Sequence, residues 1–164
     1  SSMRGILDIE FVLSITLFLS VIVFVSFVIT GNIPVFHGES VNEDLRARSY
    51  QISQLLMFDQ GQPANWNPSN VQRIGLSTGT AYNLSSTKVS NLASLCSGVS
   101  GYNNVRSLLS LDTRNDVRIS IVDEAGATRV NCSRSRTTIF SEFPIVRFGV
   151  LDTGQLVRLT VSVI

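Results

Sequence analysis

A single carboxylate, Glu10, lies one residue inside an otherwise uncharged apolar run, residues 9–30, IEFVLSITLFLSVIVFVSFVIT. The pair Arg4-Gly5 precedes it. An acid in the middle of a bilayer costs on the order of 2.5–3.5 kcal/mol, and less near the edge. Three physical reasons for its presence are open. It can sit at headgroup depth, where a helix N-terminus favours an anion. The run can be a signal-peptide core, although such cores span about 7–15 residues and this one is longer. Or the charge is held for a partner that another molecule supplies, because an unpaired charge in an apolar bundle is expensive.

Other chemistry-bearing residues are sparse. Cys96 and Cys132 are the two cysteines, and both follow the apolar run. With Arg4 before the run, the positive-inside tendency leaves the N-terminus cytoplasmic and everything after Gly31 outside. A pair of outside cysteines suggests a disulfide, against the alternative of two buried thiols. Closing a loop of about 37 residues adds up to about 4 kcal/mol on the chain-entropy model. Asn83-Leu84-Ser85 and Asn131-Cys132-Ser133 satisfy the N-glycosylation pattern, whereas proline excludes Asn67-Pro68-Ser69.

His37 is the only histidine and falls in the connector after the apolar run, which leaves a Ser-His-Asp or Cys-His site little to build on. Two separated cysteines make no metal site. No glycine-rich loop opens a helix after a strand, so phosphate cradling has no support. Glu43-Asp44 and Asp123-Glu124 read as a first-turn charge and a turn. Arg129, Arg134 and Arg136 form a loose basic stretch, read as a solvated face. The net charge of +1 argues against a strongly basic nucleic-acid binder. We expect no enzyme, no metal and no cofactor.

The elements that position these residues follow from periodicity. At about 1.5 Å per residue the apolar run makes a helix roughly 33 Å long, enough to cross a hydrocarbon core. Gly31 and Pro34 predict its end, with residues 31–39 as a hinge. Ser40 and Glu43 read as a capping box opening a second, amphipathic helix that stops before Gly61-Gln62-Pro63. A turn-rich stretch, residues 63–80, carries Trp66, Ile74 and Leu76 as buried anchors. Helices follow at about 86–95, with Val89, Leu92, Ala93 and Leu95 inward, and about 102–110. Beyond Asp112 the period becomes two. Strands are predicted at 117–122, 128–132, 145–150 and 156–164, with a further one near 137–140. Asp152-Thr153-Gly154 supplies a hairpin turn. The expectation is an α+β chain: a long N-terminal hydrophobic helix, then short helices and an antiparallel sheet of about four strands.

The N-terminal spacing resembles the class III signal of type IV pilins and archaeal pilin-like proteins. In that pattern a peptidase cuts after a basic residue and Gly, here between Gly5 and Ile6, which leaves Glu10 and Phe11 as the fifth and sixth residues. The order amphipathic helix, Gly61-x-Pro63-x-x-Trp66, Ile74-Gly75-Leu76, then Leu84-Ser85 with Lys88-Val89 and Leu92, is similar to a recurrent archaeal pilin-like ectodomain, as is the closing strand pair with Arg147. Ile6 departs from the Gln often found there, and Asp8 adds a second acid.

The resemblance implies residues 1–5 as a leader or remnant, 6–30 as a transmembrane and polymerisation helix, 31–39 as the hinge, and 40–164 as an extracellular α+β domain. It implies a homo-oligomeric helical filament, anchored in the membrane before assembly, with a prepilin peptidase and pilus assembly machinery as partners. Glu10 would pair with a neighbour's α-amine, and adhesion would be the role. With a mature start at Ser1 that pairing loses its geometry. The alternative is a minor pilin or binding ectodomain, anchored in the membrane and never polymerising.

Overall fold

A computed structural model describes the backbone of residues 3–135 and 142–164, and their side chains apart from residues 3–8 and 32–40. The chain divides into two compact units, Ser1–Val41 and Asn42–Ile164.

The first unit is helical. Helix α1 is assigned over Met3–Phe58, so its backbone passes through Gly31 and Pro34 and on into the second unit. The predicted helix end at Gly31 and the predicted capped start at Ser40 are both corrected. Gly31 does not adopt the positive φ that a left-handed cap needs. Pro34 removes one hydrogen bond and crowds one carbonyl. Ending the helix there would instead orphan several backbone groups at once. Within the apolar part the hydroxyls bond to their own helix: Thr16 Oγ1 donates to Val12 O, Ser20 Oγ to Leu17 O and Thr30 Oγ1 to Ser26 O, each at 2.8 Å. Such back-bonding satisfies polar groups in surroundings that offer no water.

The second unit closes its own core around a mixed five-stranded sheet in the order β1-β4-β5-β2-β3. Its strands are β1 (Asn83–Leu84), β2 (Val117–Asp123), β3 (Thr128–Cys132), β4 (Ile145–Leu151) and β5 (Leu156–Val163). Three pairings are antiparallel, while β1 runs parallel to β4. The four expected strands form the antiparallel part, and β1 adds a fifth, parallel strand whose two residues are too short to show a period. The strand expected near 137–140 lies outside the described residues.

Alternation decides which face is inside. Val117, Ile119 and Ile121 of β2 and Val157, Leu159, Val161 and Val163 of β5 are buried. They share one cluster with Ile52, Leu56 and Met57 of α1 and with Val89, Leu92 and Leu95 of α2 (Ser86–Leu95). Ala93 packs at the margin of that cluster. Helix α3 (Gly98–Leu108) starts a turn before the expected position. Glycines argue against helix by propensity, yet a Cβ on Gly101 would collide with the Leu95 carbonyl, so the close approach of α2 and α3 demands one.

The stretch between Phe58 and β1 is ordered by its anchors. Trp66, Ile74 and Leu76 are buried as expected. The Trp66 indole N–H donates to Gly75 O at 2.7 Å, and Gln62 pairs with Arg73 in an isolated bridge.

Candidate functional site

The N-terminal candidates all fall on α1. Gly5 and Ile6 contribute helical backbone, and the Ile6 side chain is outside the described set, as are those of Pro34 and His37. Glu10 and Phe11 are exposed, and so is every described residue from 9 to 31. The segment Ile9–Gly31 has 23 residues and a mean hydropathy of 2.8, and none of it is buried among the described residues. By length and composition this helix can cross a membrane, and it fits an anchor or a signal sequence. Its phenylalanines are uncovered: Phe11, Phe18, Phe24 and Phe27 are 65–81% exposed. A helix that is apolar all round is stable only when lipid or other helices surround it.

The second group forms around the disulfide. Cys96 and Cys132 are bonded, with Cα atoms 5.6 Å apart. Cys96 is the C-cap of α2 and Cys132 closes the edge strand β3, so the bond pins a sheet edge to the helix layer. Beside it, Asn131 is exposed and Ser133 Oγ donates to Asn131 Oδ1 at 3.2 Å. Asn131, Ser133 and Arg134 line one surface hollow together with Cys96, Val99 and Tyr102.

Asn83, the other sequon asparagine, is placed differently. It belongs to β1 and its carboxamide oxygen is buried without a hydrogen-bond partner. Its hydroxyl residue, Ser85, is the N-cap of α2 and accepts from the Lys88 N–H. The structure thus separates the two sequons, one on an open edge and one at an internal junction.

Two polar positions are structural centres that residue types alone did not mark. Lys88, the only lysine, is buried and donates from Nζ to Gln60 O and Ser77 O, both at 2.8 Å. Burial pushes its pKa down, opposed by the nearby Asp59 carboxylate. A lysine on the row that also carries Val89, Leu92 and Leu95 was the available signal. Arg147 of β4 reaches α1, where its guanidinium lies 4.8 Å over the Tyr50 ring and its Nε donates to Ser53 Oγ at 3.4 Å. Arg147 hydrogen-bonding to the Tyr50 side chain, with Gln54 second, holds the Tyr50 pKa below its ordinary value.

Tyr102 Oη accepts from the Val117 N–H at 2.9 Å and lies 3.2 Å from Asp116 Oδ1, which also pairs with Arg106 at 3.3 Å. Burial raises the Tyr102 pKa. This group joins α3 to β2. Among the described residues no set of three or more His, Cys, Asp or Glu side chains is grouped to hold a metal. The architecture, an N-terminal apolar helix followed by a globular α+β domain, is pilin-like. Compared with known proteins, the chain matches no family model, no curated protein and no solved structure.

Proposed function

We propose that this chain is a structural subunit of an extracellular filament of the type IV pilus kind. Its apolar helices bundle in the filament core, and its α+β units cover the outside. The observation that carries this reading is the Ile9–Gly31 helix, long, apolar and exposed at every one of its described residues. Packing such helices against one another replaces lipid with close van der Waals contact. Glu10 then acts as a registration charge: a cut between Gly5 and Ile6 by a prepilin peptidase frees an α-amine that neutralises a neighbour's carboxylate in the bundle. The subunit waits in the cell membrane before assembly and works outside the cell in surface attachment. N-glycosylation of the outer unit belongs to the same reading, with Asn131 the more open acceptor.

A second reading has its own support. The described residues of 42–164 bury a hydrophobic core of their own, which suits an ectodomain that stays anchored and never polymerises. Shearing cells and pelleting the extracellular fraction separates the two. High-copy protein in the sheared pellet supports the filament; protein confined to membranes supports the anchored ectodomain. Glu10→Ala tests the mechanism: filament yield falls sharply while membrane insertion is retained. Undiminished filament yield from this variant rejects the charge-pairing role.

A further inference from the structure

The second sequon has the disulfide inside it. In Asn131-Cys132-Ser133 the middle residue is the cysteine bonded to Cys96. We propose that glycan transfer to Asn131 and closure of the Cys96–Cys132 bond compete, so that the bond ends the period in which Asn131 accepts a sugar. This rests on the reading of Asn131 as a glycan acceptor.

The geometry supplies the reason. Asn131 pairs with Ser120 and Cys132 with Ile119 in the β2–β3 ladder. Asn131 faces solvent, whereas Cys132 is fully buried on the opposite side of the strand. A transferase has to read the asparagine carboxamide and the Ser133 hydroxyl together, so it must lift the segment off the ladder. A short edge strand frays readily by local opening. The bond removes that freedom, because it fixes the middle residue to Cys96 at the end of a helix whose Leu92 and Leu95 lie in the core. The Ser133 hydroxyl is meanwhile engaged with the Asn131 side chain.

Both reactions use named co-reactants. In transfer, Asn131 Nδ2 attacks the anomeric carbon of a polyisoprenyl-phosphate-linked oligosaccharide. The N–C bond forms as the C–O bond to the lipid phosphate breaks, and one amide proton is lost. In closure, the two thiols give up two protons and two electrons to a disulfide-bearing oxidant, which leaves as a dithiol.

The test expresses the full chain in a host that glycosylates Asn-x-Ser/Thr and quantifies the tryptic peptide 130–134, which contains Asn131 and excludes Asn83. Wild type is expected to be partly occupied. Cys96→Ser keeps the sequon intact and removes the tether, and occupancy rises severalfold. A pulse of dithiothreitol during wild-type synthesis gives the same rise. Trp66→Ala, which destabilises the same unit but keeps both thiols, gives no comparable rise. Full occupancy in the wild type overturns the proposal, as does unchanged occupancy in Cys96→Ser or an equal rise in Trp66→Ala. Absence of glycan at residue 131 in every variant, with a C-terminal reporter sequon modified, rejects the acceptor reading itself and the proposal with it.

Discussion

The backbone N–H of Val163 donates to Ser49 Oγ across 2.8 Å, a buried bond between the last strand and the long helix. The same hydroxyl donates to Leu45 O at 2.8 Å, so both of its capacities are used. Ser49→Ala leaves the Val163 amide buried without its acceptor, and stability falls by about 1–3 kcal/mol. Ser49→Thr retains the hydroxyl and recovers part of the loss. Urea midpoints of the detergent-solubilised chain measure both.

Lys88 holds two loop carbonyls that have no other charged donor described at them, Gln60 O and Ser77 O. Lys88→Met keeps the length of the stem and strips both bonds. The expected loss is about 2–4 kcal/mol, since hydrogen bonds from charged groups are the stronger ones. An unchanged midpoint shows that water replaces the ammonium at no cost.

Two glycines separate crowding from conformational freedom. A Cβ on Gly75 would run into backbone atoms of Asp59 and Gly61, which cannot rotate away. Gly75→Ala therefore costs at least about 2 kcal/mol. A Cβ on Gly31 meets nothing within 4 Å. Gly31→Ala should strengthen the helix by about 0.5–1 kcal/mol. Circular dichroism and thermal melts of the two variants should move in opposite directions.

The β2–β3 turn is set by a carboxylate. Asp123 Oδ1 accepts from the Ala127 and Ala125 N–H groups at 2.8 and 3.1 Å, and Oδ2 pairs with Arg129 at 2.9 Å. The Ala127 bond, ahead of the Arg129 contact, holds its pKa below the usual carboxylate value. Because the folded value is the lower one, the unfolded chain takes up the proton first as pH falls. The contribution is complete above about pH 4 and fades as pH drops through the folded value. Asp123→Asn should thus be less stable than wild type at pH 7, with the gap narrowing below pH 4. A gap that stays constant with pH contradicts this account of the turn.

Much of the fold was legible because burial imposes its period on residue type. Val117, Ile119 and Ile121 alternate with Arg118 and Ser120, and the strand is where that alternation places it. The helix expected at about 86–95 is found at Ser86–Leu95. The exceptions have physical causes. Asn83 and Leu84 form a strand through a distant parallel partner, which no local pattern records. Pro34 signals a stop in water, but α1 continues past it. Of the candidate site, Glu10 and the cysteine pair were visible in the sequence. The engagement of Ser85 as a cap, and of Ser133 with Asn131, depends on the fold and leaves no local mark, because a sequon reads the same on an edge strand and at a junction.

The inward placement of Lys88 has a consequence for anyone handling this protein. Every other cationic side chain, the lone histidine aside, is a guanidinium, so the surface presents no lysine to aldehyde fixatives or succinimidyl ester dyes. Amine-directed crosslinking would report few neighbours however tightly copies were packed, and carboxylate- or arginine-directed reagents are the suitable choice.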